Sequence, residues 1–141
     1  MAIAKFNNDE RVGFSRIFFS NKSVVKWEFA IQNGQEQALI FGDTFYSYSV
    51  DAGIGLFLDE KAKTEFMKDD SQSTLDKIFK EMNKHTYVTW QYGVCELNSH
   101  NLVAFSTGLG DGHYATYVGY DDKGFPCRLL TDFGLVQWWI K

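Results

Sequence analysis

Proline occurs once in these 141 residues, at Pro126, so strand ladders meet few of the breaks that proline imposes. Cysteine occurs twice, at Cys95 and Cys127, with neither a C-x-x-C pair nor a spacing that suggests a bridge. Each sits inside an apparent strand, the pattern of a buried free thiol in a reducing compartment. No apolar run approaches the roughly 18 residues of a membrane span. Residues Met1 to Glu10 hold neither the apolar segment nor the cleavage signal of a secreted protein. These absences lead to the expectation of a cytoplasmic protein with no membrane partner.

Positive charge is missing from a whole sector. Between His85 and Asp122 there is no Lys or Arg, while Glu96, Asp111, Asp121 and Asp122 are acidic. Acids and bases of the remaining chain balance, which leaves a net charge of −4. An acidic, aromatic sector repels phosphate backbones and attracts basic surfaces, so a basic protein is the expected partner and nucleic acid the least expected. Acidic loop tips that serve only solubility give the same pattern.

What is present describes a globular chain. Hydrophobic residues make up 45% and charged residues 23%, enough apolar surface for a core without staples, and one domain spanning residues 1–141 is expected. Aromatic residues reach 17%, which favours sheet surfaces. Val25, Trp27, Phe29 and Ile31 alternate with Lys26, Glu28 and Ala30, and Asn33-Gly34 then signals a hairpin. Strands are also expected over 12–19, 44–50, 88–94, 102–106, 114–120, 125–131 and 135–140. The middle is helical in pattern. Asp59 caps a short helix through Ala62, Phe66 and Met67, and Ser73 to Asp76 fits a capping box followed by an apolar face of Leu75, Ile78, Phe79 and Met82. The expected fold is α+β: a mostly antiparallel β-sheet, meander or sandwich-like, with two helices inserted mid-chain.

Chemistry-bearing residues gather around glycine-rich turns. Gly108-Leu-Gly-Asp-Gly112 has the glycine density of a phosphate cradle, but it lacks the lysine of a P-loop and opens a strand rather than a helix. Asp51, Asp111 and Asp132 each stand at a strand end beside a glycine or an aromatic ring. Converging, they would hold a hard cation or divide acid and base roles; apart, each would accept the amides of its own loop. His113, beside Asp111-Gly112, is the one histidine placed as a general base. No two histidines have zinc spacing, and no G-x-S-x-G elbow is present. No motif calls for a cofactor.

Three segments carry a resemblance. Val50-Asp-Ala-Gly-Ile-Gly-Leu-Phe-Leu-Asp59 looks like a D-A-G-x-G-x-F-x-D signature. Asn101 to Tyr114, then Tyr117-Val-Gly-Tyr-Asp121 and Leu130-Thr-Asp-Phe133, look like the C-terminal signature that goes with it, and Glu10-Arg-Val12 leading into Val24 to Glu28 resembles the early strand pair. In order and spacing the chain resembles the C-terminal two-thirds of the bacterial domain of unknown function 4241 family. The resemblance implies a soluble bacterial protein and brings no activity with it. Two departures stand out: the family's usual N-terminal region, with its S-G-x-x-x-A-x-D-P type motif, has no counterpart here, and Gly108-Leu-Gly110 replaces the more usual Gly-Trp-Gly. An exposed edge strand left by that difference would be a docking surface.

Two functions follow as expectations. One is a non-catalytic binding protein that docks a basic protein on its acidic, aromatic face, an immunity or antitoxin role being the most concrete version. The other is a hydrolase-like or ligand-binding site built from Asp51, Asp111, His113 and Asp132, with metal identity open. Across both, the residues singled out are Asp51, Gly53, Trp90, Asp111, Gly112, His113, Tyr114, Tyr117 and Asp132. A third possibility is architectural, with the glycine–aspartate motifs only fixing turns.

Overall fold

The structure is a computed structural model, and it describes residues 1–68, 71–97 and 99–138. In chain order the elements are β1 (Ala2–Phe6), β2 (Asp9–Phe18), β3 (Lys26–Phe29), β4 (Tyr48–Val50), β5 (Ile54–Leu58), α1 (Glu60–Lys68), α2 (Ser71–Asn83), β6 (Tyr92–Leu97), β7 (His100–Ser106), β8 (Gly112–Tyr120) and β9 (Pro126–Asp132). The α+β class, with antiparallel sheets and two helices mid-chain, is the class that the periodicities imply.

The strands form two sheets rather than one meander. The larger has the order β1-β2-β9-β8-β3, with β4 also paired to β8, and the smaller has the order β5-β7-β6. β8 carries both short strands on one edge: Tyr48 to Val50 pair with Tyr114 to Gly112, and Lys26 to Phe29 pair with Tyr120 to Tyr117.

Side-chain alternation stacks these pieces into layers. On β7, Leu102 and Ala104 point to a core shared with Ile78 and Met82 of α2 and Cys95 of β6. Val103 and Phe105, one residue out of phase, join Val12 of β2, Tyr114 of β8 and Phe133 in the core between the two sheets. The outer face of the large sheet carries Phe29, Ala115, Tyr117 and Leu130, covered by Ile31, Ala38, Ile40 and Tyr46 from the long β3–β4 connection. Helices, small sheet, large sheet and an irregular strap thus lie in sequence.

Local signals account for most of the elements. Asp59 caps α1 as its position suggests, its Oδ1 accepting the Ala62 amide at 2.7 Å. That bond, with smaller help from His100, holds the Asp59 carboxyl below its ordinary pKa. Met67, placed with the apolar side of α1 from sequence, is exposed; Phe79 of α2 is likewise at the solvent margin. α2 begins at Ser71, so Ser73 is inside the first turn and not the cap. Both cysteines are free and buried, one in each sheet. Among the described residues no helix is long and apolar enough to cross a membrane, which says nothing of a β-barrel.

Several strand expectations change. Asn33-Gly34 does form a turn, with Gly34 at φ 89°, but residues 35–47 continue as irregular strap and only Tyr48–Val50 forms a strand. Residues 88–91 form no strand; Val88 is fully exposed and β6 starts at Tyr92. Residues 135–138 are likewise not a strand, and the rest of the expected 135–140 strand lies outside the described residues. β1 and β5 had no separate alternating pattern, because both sit against a partner strand in motifs that read as turns or tail.

Candidate functional site

The sequence motifs meet at one end of the large sheet. Val50 pairs with Gly112, which sets Asp51-Ala-Gly53 against the loop from Thr107 to Asp111. Gly53 donates its amide to Asp111 Oδ1 at 2.7 Å, and its carbonyl accepts the Thr107 amide at 3.0 Å. Gly110 carbonyl accepts the hydroxyls of Thr107 and Tyr114, each at 2.8 Å. Ala52 and Gly53 both have positive φ, 78° and 64°, and a Cβ on Gly53 would sit 3.4 Å from Gly110 Cα. Two turns are thus clasped backbone to backbone, with the Asp111 carboxylate as the latch.

That clasp accounts for part of the aspartate–glycine pattern. Asp111→Ala leaves the Gly53 amide without its partner and is expected to cost about 1 kcal/mol, the net worth of a solvent-accessible hydrogen bond. Amide exchange at Gly53, followed by NMR, should accelerate in this variant while core amides of β8 keep their relative order. Unchanged exchange at Gly53 would show that the latch carries no load.

The remaining candidates divide between places. His113 is exposed, with Nδ1 3.3 Å from Ser49 Oγ, and Asp51 is exposed beside it. Tyr114 packs edge-on against Phe133 at 5.0 Å, and burial, then the Asp111 charge, raises its phenol pKa. Trp90 belongs to the inter-sheet core and is stacked by Tyr87 at 3.9 Å. Tyr117 lies on the outer face, its pKa raised by burial and then by Asp132. Asp132 is buried, with Oδ1 accepting the Gly134 amide at 2.8 Å and Oδ2 the Trp138 indole N–H at 2.7 Å.

The structure therefore brings Asp51, Gly53, Asp111, Gly112, His113 and Tyr114 to one sheet end and holds Asp132 elsewhere. Asp132 stands opposite Ala115, about 10 Å of strand beyond Gly112. Among the described residues, no group of three His, Cys, Asp or Glu side chains is placed to hold a metal ion. The acids of the cation-free sector are equally dispersed. Asp111 precedes β8 and Asp121 follows it, roughly 30 Å away, and Glu96 is on the small sheet. Asp121 is buried and caps its own turn, accepting the Lys123 and Phe125 amides at 2.9 Å each.

A second place emerges only in three dimensions. Phe14, Arg16 and Phe18 project from alternate positions of β2 on the outer face, opposite Asp132, Leu130 and Arg128 of β9. The strap covers the Phe29 end of this face and leaves the Arg16 end open. There a groove of about 410 Å³ is lined mainly by Phe14, Trp27, Tyr117, Leu130 and Trp138, with Arg16 and Arg128 at its side. Both guanidinium groups lie over the Phe18 ring, 4.7 Å and 4.1 Å from its centroid, each in cation–π range. Arg128 also donates to the carbonyls of Ser20 and Cys127. Among the described residues, neither arginine has a carboxylate within ion-pair range.

Sequence reasoning passed over Arg16, Phe18, Trp27 and Arg128. The signal available was the Phe-x-Arg-x-Phe alternation at 14–18 with Arg128 and Leu130 at matching parity, but which face stays open depends on the course of the strap. Arg16 also borders a cleft of about 680 Å³ on the inner side, between the sheets, with Ile17, Leu129, Phe57 and Val103 at its base and Asp59 and His100 at its rim.

The class these features define is a two-sheet α+β scaffold with clasped motif turns at one end and an open aromatic–arginine groove on its outer face. The profile of the family described as "Protein of unknown function (DUF4241)" matches residues 1–131. The chain belongs to that family. No curated protein and no solved structure shows a significant match.

Proposed function

We propose that this protein acts by binding, and that its docking site is the outer-face groove between Trp27, Arg16 and Arg128. The observation that carries this reading is the pair of guanidinium groups stacked on one exposed phenyl ring, with no described carboxylate in range, beside an apolar trough. Planar guanidinium pairs suit carboxylates and similar anions, and aromatic walls supply area for an apolar neighbour. The occupant is thus an anionic group carried on an apolar body. Two buried, unpaired thiols favour work in a reducing cytoplasm.

Anilinonaphthalene sulfonate, an aromatic anion, is a direct probe. One site per chain is expected, with quenching of tryptophan fluorescence, and Arg16→Glu should weaken it about tenfold or more, the worth of a charge-assisted contact. Among the described residues the Arg16 guanidinium makes no hydrogen bond, so the variant should lose no more than about 1 kcal/mol of stability, the worth of its contact with Phe18. Equal affinity in Arg16→Glu would remove the groove from consideration.

A second reading keeps the basic protein partner, in an immunity-like role, at the clasped end. It is favoured by the exposure of Asp51 and Asp111, neither of which pairs with a described Lys or Arg. A basic partner would be lost on Asp51→Lys and retained on Arg16→Glu; the groove reading demands the reverse.

A further inference from the structure

Asn33-Gly34 forms a turn that leads into the irregular strap, and it is the one place in the chain where asparagine precedes glycine. Both residues are exposed. The turn is closed twice between the same two residues. Gln35 donates its amide to the Gln32 carbonyl at 3.1 Å, and Gln32 donates its own amide to Gln35 Oε1 at 2.7 Å. Between them the Gly34 amide meets no acceptor among the described residues, and a Cβ on Gly34 would find nothing within 4 Å. Other asparagines are placed differently. Asn83 ends α2, where the next amide, that of Lys84, is bonded to the Glu81 carbonyl at 3.1 Å, and Asn101 lies within β7.

A main-chain nitrogen that follows asparagine can attack the side chain before it. The Gly34 nitrogen bonds to Asn33 Cγ, the Cγ–Nδ2 bond breaks, and ammonia leaves with the proton that the Gly34 amide gives up. Water then opens the succinimide ring at either carbonyl. One opening leaves aspartate; the other leaves isoaspartate, whose main chain runs through the side-chain carboxyl and is one methylene longer. Glycine hinders the attack least, because no Cβ crowds the approaching nitrogen. The closed turn opposes it. Gly34 has φ 89° in the third position and Asn33 is not among the positive-φ residues, so the turn is type II, with ψ of about 120° at Asn33. That conformation points the Gly34 nitrogen away from the Asn33 side chain, and ring closure waits for the turn to open.

We infer that Asn33 is a site of self-modification, converted to aspartate and isoaspartate by attack of the Gly34 amide, and that the paired Gln32–Gln35 bonds set its rate by holding the turn closed. This does not depend on the docking reading. The turn lies at the β3 end of the strap, next to the bonds that fasten it. Gln37 Nε2 donates to the Phe29 carbonyl at 2.9 Å, and the Tyr46 hydroxyl donates to the Glu36 carbonyl at 2.8 Å. An isoaspartate adds a methylene to the main chain and a negative charge, so the bond from Gln35 to Gln32 loses its register. The strap over Phe29, Ala115 and Tyr117 is then loosened from its β3 end.

The full chain, aged at mildly alkaline pH and mapped by mass spectrometry, tests this, with isoaspartyl methyltransferase labelling to tell isoaspartate from aspartate. The peptide carrying Asn33 should gain about 1 Da ahead of every other asparagine peptide. It should do so more slowly than the capped peptide acetyl-Ile-Gln-Asn-Gly-Gln-Glu-amide, which has no tertiary contacts to keep the turn closed. Gln35→Ala removes one of the two closing bonds and should speed conversion about threefold, the effect of one net hydrogen bond on a local opening. Gly34→Ala should slow it about tenfold or more, since the new Cβ crowds the attacking nitrogen. Both positions are exposed, so neither variant endangers the core, and circular dichroism checks that both fold. In the converted protein, amide exchange at Gln35 should be faster than in the fresh one. Conversion of another asparagine first would overturn Asn33 as the site. A rate in Gln35→Ala equal to that of the parent chain, or a folded chain as fast as the free peptide, would overturn the gating by the turn.

Discussion

Phe105→Ala is expected to lower stability by about 3–5 kcal/mol, the cost of removing a large ring from a packed core. Phe105 is 1% exposed near the end of β7, and its ring lies 4.7 Å from Phe57 and 6.2 Å from Phe133. Its ring lies over Gly55, its partner on β5 of the same sheet, so closely that a Cβ there would come within 2.4 Å of the ring. The ring therefore fills the space between β5, β7 and the segment that follows β9. Those contacts hold the two sheets together, and surrounding backbone ladders cannot collapse into the vacancy. Against a total stability of about 5–15 kcal/mol, such a loss is a large fraction, and the midpoint of thermal unfolding should fall by roughly 10 °C or more. Circular dichroism melts of Phe105→Ala and Phe105→Leu read it directly. A loss below about 1 kcal/mol in the alanine variant would mean that the sheets are not joined through this ring.

Gly108→Ala should be nearly as damaging, at about 2–5 kcal/mol, for two separable reasons. Gly108 has φ 47°, where a Cβ costs about 1–2 kcal/mol. That Cβ would also stand 2.8 Å from Cβ of Phe133, a backbone-anchored atom that cannot swing aside, and overpacking of this kind costs about 1–3 kcal/mol. Gly34→Ala isolates the first term, since Gly34 has φ 89° and nothing within 4 Å of its would-be Cβ. Denaturant melts of both variants should therefore differ, with Gly108→Ala the less stable by at least 1 kcal/mol. Equal losses would show that Phe133 yields, and that the glycine of this motif serves backbone conformation alone.

These two variants also explain why the motif residues read as a functional site in one dimension. Glycines at positive φ, a carboxylate between them and flanking aromatics are what a ligand loop needs, and equally what a clasp between two turns needs. Only the bonds from Gly53 to Asp111 and from Thr107 to Gly53 distinguish the two. Asp132 makes the same point: at a strand end beside Phe133 it has the look of a metal ligand or a base, yet both of its oxygens are engaged by Gly134 and Trp138. Periodicity was more informative where one face was buried and the other wet, as along β3 and β8. It was least informative for residues 88–91, where aromatic and β-branched residues occur without the partner strand that would make a ladder.

Legible from the residues alone are the class of fold, the helical insert with its Asp59 cap, the free state of both thiols and the family. These follow from local rules: hydrophobic period, capping chemistry, cysteine spacing and motif order act within a dozen residues. The long-range arrangement alone settles which face of the large sheet stays open and that Arg16 and Arg128 both contact the Phe18 ring. Those depend on β2 lying beside β9 across more than a hundred residues of chain, and on how far the strap between β3 and β4 reaches. No local pattern encodes a distance of that kind, because register and coverage are settled by which surfaces remain to be buried once the strands have paired.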